Sequence, residues 1–152
     1  MIPDAMEWSK LQSEFEWDGS LRDIHILNTT LADWRSAIRA LSESGLPLSF
    51  KFQGAMSPLP VDVADVFDSG DGLLSVNLDG MLLNSHFFGT DEIEFDLDPR
   101  EVTTGDRATA LAGFMAVLGT ATGKPVILTH ENAREAVIFQ WNPPEIPTSS
   151  LS

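Results

Sequence analysis

Between residues 72 and 98 apolar and polar side chains alternate with a period of two, in three successive runs. Leu74, Val76 and Leu78 make the first run, residues 81–88 the second, and Ile93, Phe95 and Leu97 the third. Asp79-Gly80 and Gly89-Thr90-Asp91 separate the runs, and Pro99 closes the last. Such alternation places the apolar set on one face of a sheet, and Asp-Gly between two runs favours a tight antiparallel turn. A three-stranded meander is therefore the frame onto which the remaining elements must pack.

Two amphipathic helices are expected beside it. Leu31, Trp34, Ile38 and Leu41 form a helical stripe; Thr29 or Thr30 caps it, with Asp33 completing a capping box, and Gly45 and Pro47 stop it, giving a helix at 30–44. A second helix at 104–119 buries Leu111, Phe114, Met115 and Leu118, with Ala108 and Ala112 permitting close approach, and ends at Gly119 or Gly123. Phe15 and Trp17, the Asp18-Gly19 pair, and Ile24 and Ile26 predict a hairpin over 12–27. Further strands are expected at 47–53, 126–128 and 137–141, a loop at 54–60, and a short polar connection at 130–135. Residues 61–67 fit either a helical turn or a strand.

The order is ββ-α-β-βββ-α-ββ. It predicts an α+β fold: a largely antiparallel sheet of about seven or eight strands with two main helices on one face, the other face partly open to solvent. With 152 residues and 43% hydrophobic content, one domain over 1–142 has enough apolar surface for a core without staples. Residues 143–152, with three prolines and three serines, read as a flexible tail.

Charge and residue usage narrow the function. The net charge is −14, which repels nucleic-acid phosphates and anionic membranes. Neither partner is expected; a basic protein is compatible, and so is simple solubility. The chain has no cysteine, which removes disulfides, thiol catalysis and cysteine-ligated metals and fits a cytoplasmic setting. The opening residues show no basic-then-apolar signal pattern, and no apolar run approaches the ~18–20 residues of a membrane helix.

The most conspicuous motif is a carboxylate ladder. Glu92, Glu94, Asp96 and Asp98 alternate with Ile93, Phe95 and Leu97, so in an extended strand four acids share one side. The window 61–106 holds twelve acidic residues and one basic residue, Arg100. Asp79, Asp91, Glu92, Glu94, Asp96 and Asp98 are thus the candidate binding residues for a cationic patch. The plain alternative is a solvated face or an edge strand guarded by charge.

Other motifs carry less. Asp68-Ser-Gly-Asp-Gly-Leu lacks the spacing of a calcium loop, and Gly119-Thr-Ala-Thr-Gly-Lys124-Pro lacks that of a phosphate-binding loop. His25, His86 and His130 have no second histidine at zinc-ligand spacing, so no zinc signature is present and no metal residue or cofactor is assigned; a hard-cation or calcium site at the acidic window is the weaker alternative. His130, with Glu131 and Arg134, follows a strand and is the candidate catalytic group should the protein be an enzyme or ligand binder with a site near 129–135. No nucleophile elbow accompanies it. Trp17 and Trp141 are candidates for exposed interface anchors, the alternative being core packing.

These features favour a non-enzymatic protein–protein interaction module docking a basic partner through an acidic sheet face. In general type the chain is similar to small acidic accessory proteins of bacteria, among them immunity proteins that neutralise basic toxins, a similarity that rests on no motif. A homodimer formed through an edge strand is a further expectation.

Overall fold

The computed structural model describes residues 7–144. One eight-stranded antiparallel sheet carries the fold, with the strand order β3-β2-β4-β5-β6-β1-β7-β8. In chain order the elements are α1 (Trp8–Leu11), β1 (Arg22–Leu27), α2 (Leu31–Glu43), β2 (Leu48–Phe52), β3 (Ala55–Ser57), α3 (Ala64–Ser69), β4 (Gly72–Leu78), β5 (Met81–His86), β6 (Glu92–Leu97), α4 (Gly105–Thr122), β7 (Val126–His130) and β8 (Ala133–Trp141). The α+β class, the antiparallel sheet and the two long helices agree with the sequence reading. The expected tail falls, from residue 145 onward, outside the described residues.

Helix α2 begins where its chemistry dictates. Thr30 accepts from the Asp33 backbone N–H, and the Asp33 carboxylate accepts from the Thr30 N–H. Its stripe of Trp34, Ala37, Ile38 and Leu41 is buried. Helix α4 starts at a Thr104 cap and ends at Gly123, which adopts a left-handed conformation at φ 69°. Ala108, Leu111, Ala112, Phe114, Met115 and Leu118 of α4 meet Ile24, Ile26, Val76, Leu83, Ile93, Phe95 and Leu128 of the sheet in one continuous core. Among the described residues, no helix is long and apolar enough to cross a membrane.

The meander pairs as expected, Leu78 facing Met81 across a two-residue turn whose Asp79 and Gly80 both have positive φ. Three local expectations need correction, and one open alternative is resolved. The hairpin over 12–27 does not form: residues 12–15 make a 3-10 turn and only 22–27 are extended. Phe15 is buried, with its ring 6.1 Å from that of Trp8, and the Glu14 and Glu16 carbonyls accept from the Arg22 guanidinium instead of from a partner strand. The 54–60 loop contains β3, paired with β2 through Gln53-Gly54, both at positive φ as a tight hairpin requires. The 61–67 ambiguity resolves as α3. The 130–135 connection is a two-residue turn at 131–132, after which β8 starts at once.

Trp141 is buried rather than exposed, whereas Trp17 is half-exposed and covered on one side by the Arg100 guanidinium at 3.9 Å.

Candidate functional site

The helix-free face of the sheet is set by register. Strand β1 lies between β6 and β7, with Asp23 opposite Asp96 and Thr129, and His25 opposite Glu94 and Ile127. Because Ile24 and Ile26 point into the core, Asp23 and His25 point the other way, onto the same face as Glu92, Glu94 and Asp96. Asn84 of β5 extends the polar surface beside Asp96. Four carboxylates and one imidazole from two adjacent strands therefore occupy the middle of the open face.

Its inner members are buried although no helix covers them: Asp23 is 2% exposed and His25 3%. The turn between β7 and β8 is drawn over the end of β1. The Asn132 N–H donates to Asp23 Oδ2 at 3.0 Å, the Leu21 N–H donates to Glu131 Oε1 at 2.9 Å, and Arg134 pairs with Glu92. His25 Nδ1 donates to Glu92 Oε2 at 2.5 Å and stands 3.4 Å from Glu94 Oε1. A carboxylate accepts only, so this bond places a proton on Nδ1. The other ring nitrogen, Nε2, is buried without a hydrogen-bond partner, 3.8 Å from Asp23 Oδ2.

Positive charge does not balance the cluster. Among the described residues, Asp96 has no hydrogen-bonding or ion-pair partner. Burial pushes the Asp23 carboxyl above its ordinary range, opposed by the Asn132 N–H and by His25, with the charges of Glu131 and Glu92 adding to the effect. Burial likewise raises Glu94, assisted by Asp23, Glu92 and Asp96 and opposed by His25, and raises Asp96, assisted by Asp23 and Glu131 and opposed by His86. Like charges held together at partial burial disfavour their own ionisation, and a cation placed among them relieves that cost.

The six expected binding residues divide. Glu92, Glu94 and Asp96 come together on β6, and Asp91 joins Glu92 and Glu94 at the rim of a cavity of about 100 Å3 lined also by His86 and Phe88. Asp79 stays in the β4–β5 turn. Asp98 caps the 3-10 turn at Pro99–Glu101 and is held by Arg100 at 2.7 Å, which also keeps its carboxyl below the ordinary range. Glu92 is paired with Arg134 and accepts from His25, so the acids without a cationic side chain bonded to them are Asp23, Glu94 and Asp96.

The three candidate catalytic residues do not assemble. His130 Nε2 bonds Glu14 Oε2 at 2.7 Å, Glu131 serves the Leu21 N–H, and Arg134 turns to Glu92. Asp23 and His25 were not singled out by the sequence as site residues. Their alternation with Ile24 and Ile26 reveals the face they occupy, but only the β6-β1-β7 order reveals their neighbours.

Beside His25 a cavity of about 290 Å3 is lined by Leu27, Asn28, Pro125, Ile127 and Gln140. Large apolar side chains also stand out around the face: Leu82 is 48% exposed, Phe88 86% and Val137 45%. No protein-family model, curated protein or solved structure matches the chain.

Proposed function

We propose that the protein is a non-enzymatic interaction module whose open sheet face docks a basic protein partner, an accessory or immunity-like role. The observation that carries this reading is the pair Glu94 and Asp96 in the middle of the face, with the buried Asp23 behind them. A lysine or arginine of the partner entering there gains the attraction that the fold itself leaves unmet. Leu82, Phe88 and Val137 supply apolar contact around the acids, the composition from which interfaces draw most of their affinity, while the charge speeds encounter.

The net charge of −14 supports a protein partner over nucleic acid, and the absence of cysteine supports a reducing, cytoplasmic setting. Strand β8, at the edge of the sheet, offers nine residues for pairing with a second copy, so a dimer through this edge is compatible with the docking face. No observation favours an enzyme at 129–135, since His130, Glu131 and Arg134 are each engaged elsewhere.

The test uses isotope-labelled, chelator-treated protein and a decalysine peptide. Amide shifts are expected to centre on residues 23–27 and 88–96. The affinity is expected to fall at least about tenfold when Glu94→Lys and Asp96→Lys are combined, and to weaken steeply with salt. Shifts spread evenly over every acidic surface, or an affinity indifferent to the double reversal, would overturn the reading.

A further inference from the structure

The inner part of the acidic cluster, which shares Glu94 with the docking face, has a second geometry. One ligand atom from each of Asp23, His25 and Glu94 lies within 4.8 Å of the other two. Around a zinc-sized ion, tetrahedral nitrogen and oxygen ligands stand about 3.4 Å apart, so modest side-chain rotations close the set. Acids alone would not make this a site, since acidic clusters are common on protein surfaces. The histidine is what distinguishes it: His25 is buried to within 3% of its surface, yet Nε2 has no partner.

The Nδ1 side of the ring is already committed. Glu92 accepts the Nδ1–H hydrogen bond, and Arg134 holds Glu92 in place. Histidine ligands of metals are oriented in this way, one ring nitrogen donating to a carboxylate while the other binds the ion. Asp23 is steadied by the Asn132 N–H through Oδ2, which leaves its other oxygen uncommitted. The chain thus presents an imidazole nitrogen without a partner, two carboxylates and an oriented outer carboxylate on the paired strands β1 and β6.

We infer that Asp23, His25 and Glu94 form a binding site for a single divalent transition-metal ion of the zinc or manganese kind. One nitrogen with two oxygens suits a borderline ion better than calcium, which takes six to eight oxygens, or magnesium, which retains most of its water. The usual order of affinities places zinc above manganese at such a set. Three protein ligands leave a further coordination position for water or for a donor from another molecule.

The site does not depend on the docking reading, and its test is separate. Chelator-treated protein is titrated with zinc chloride, manganese chloride, calcium chloride and magnesium chloride, following heat of binding and melting temperature. Zinc is expected to bind at one equivalent and to raise the melting temperature by at least about 5 °C, because an ion that binds only the native state stabilises it. Manganese acts more weakly, and calcium and magnesium leave the melt unchanged. Cobalt(II) loaded in place of zinc is expected to give visible absorption bands.

His25 is buried, and its removal threatens the fold, so the deciding variant is Glu94→Gln at the half-exposed position. It is expected to keep the native circular dichroism and to lose zinc affinity at least about tenfold. Absence of stoichiometric binding would overturn the site. So would zinc affinity unchanged in Glu94→Gln, or calcium stabilising as much as zinc, the mark of a merely acidic surface. Because the peptide experiment is run in chelator, failure of either reading leaves the other standing or falling on its own data.

Discussion

Replacing Arg22 with alanine is expected to lower stability by about 3–4 kcal/mol, a drop in melting temperature of about 10 °C. Arg22 is 1% exposed and works as a clasp for the N-terminal segment. Its Nε donates to the Glu14 carbonyl at 2.8 Å and its Nη2 to the Glu16 carbonyl at 3.0 Å. Its Nη1 reaches the Ser20 and Leu21 carbonyls and the Asp18 carboxylate. Truncation leaves these acceptors short of a donor and releases Phe15 from the core. Lysine restores only part of the loss, because a single ammonium cannot serve carbonyls on opposite sides of a planar fork. Denaturant melts of both variants check the magnitude, and hydrogen exchange checks the location: amides of residues 8–16 should exchange faster than those of β4 and β5. A loss below about 1 kcal/mol for Arg22→Ala would mean that the segment is held by something other than this clasp.

The second large effect is expected at Phe95. This side chain is 1% exposed, and its ring stands edge-on to that of Phe114 at 5.2 Å. Truncation to alanine removes the ring from the layer between β6 and α4 and is expected to cost about 3–5 kcal/mol, within the range for phenylalanine cavities. Phe95 also matters for the face above it. Glu94 and Asp96 project outward because Ile93, Phe95 and Leu97 project inward, so the hydrophobic gain of three buried side chains holds the acids together against their repulsion. Phe95→Leu, which keeps most of the volume, is expected to recover more than half of the loss. Chemical denaturation of the two variants distinguishes this from a general fragility of β6, in which leucine would be no better than alanine.

The meander, both long helices and the cap of the first were legible in the sequence because each rests on local chemistry. Asp79-Gly80 dictates a turn, Thr30 with Asp33 dictates a helix start, and alternation over 92–97 fixes which side each acid takes. The failures came where a distant side chain overruled a local pattern. Phe15 and Trp17 alternate like strand residues, but Arg22 takes the carbonyls a strand would have paired. Gln53-Gly54 is a weaker turn signal than Asp-Gly, and it concealed β3.

The site was half legible for the same reason. Glu92, Glu94 and Asp96 announce themselves within a single strand. Asp23 and His25 belong to a strand some seventy residues earlier, and nothing local ties them to β6. Asp98 looked like a fourth member of the ladder, but Pro99 turns the chain there and Arg100 takes its charge.

The central claim is that the acids of the open face are held for a ligand and not for the fold. A melt of Asp96→Asn at pH 7, in chelator and without partner, tests it most directly. Asp96 is half-buried, and its pKa is raised by that burial and by the charges of Asp23 and Glu131. A carboxyl raised in the folded state destabilises that state when ionised, so the neutral amide is expected to raise the melting temperature, modestly because water screens part of the repulsion, by about 2 °C. A lower melting temperature for Asp96→Asn would contradict the account, because it would show this carboxylate to be a structural partner.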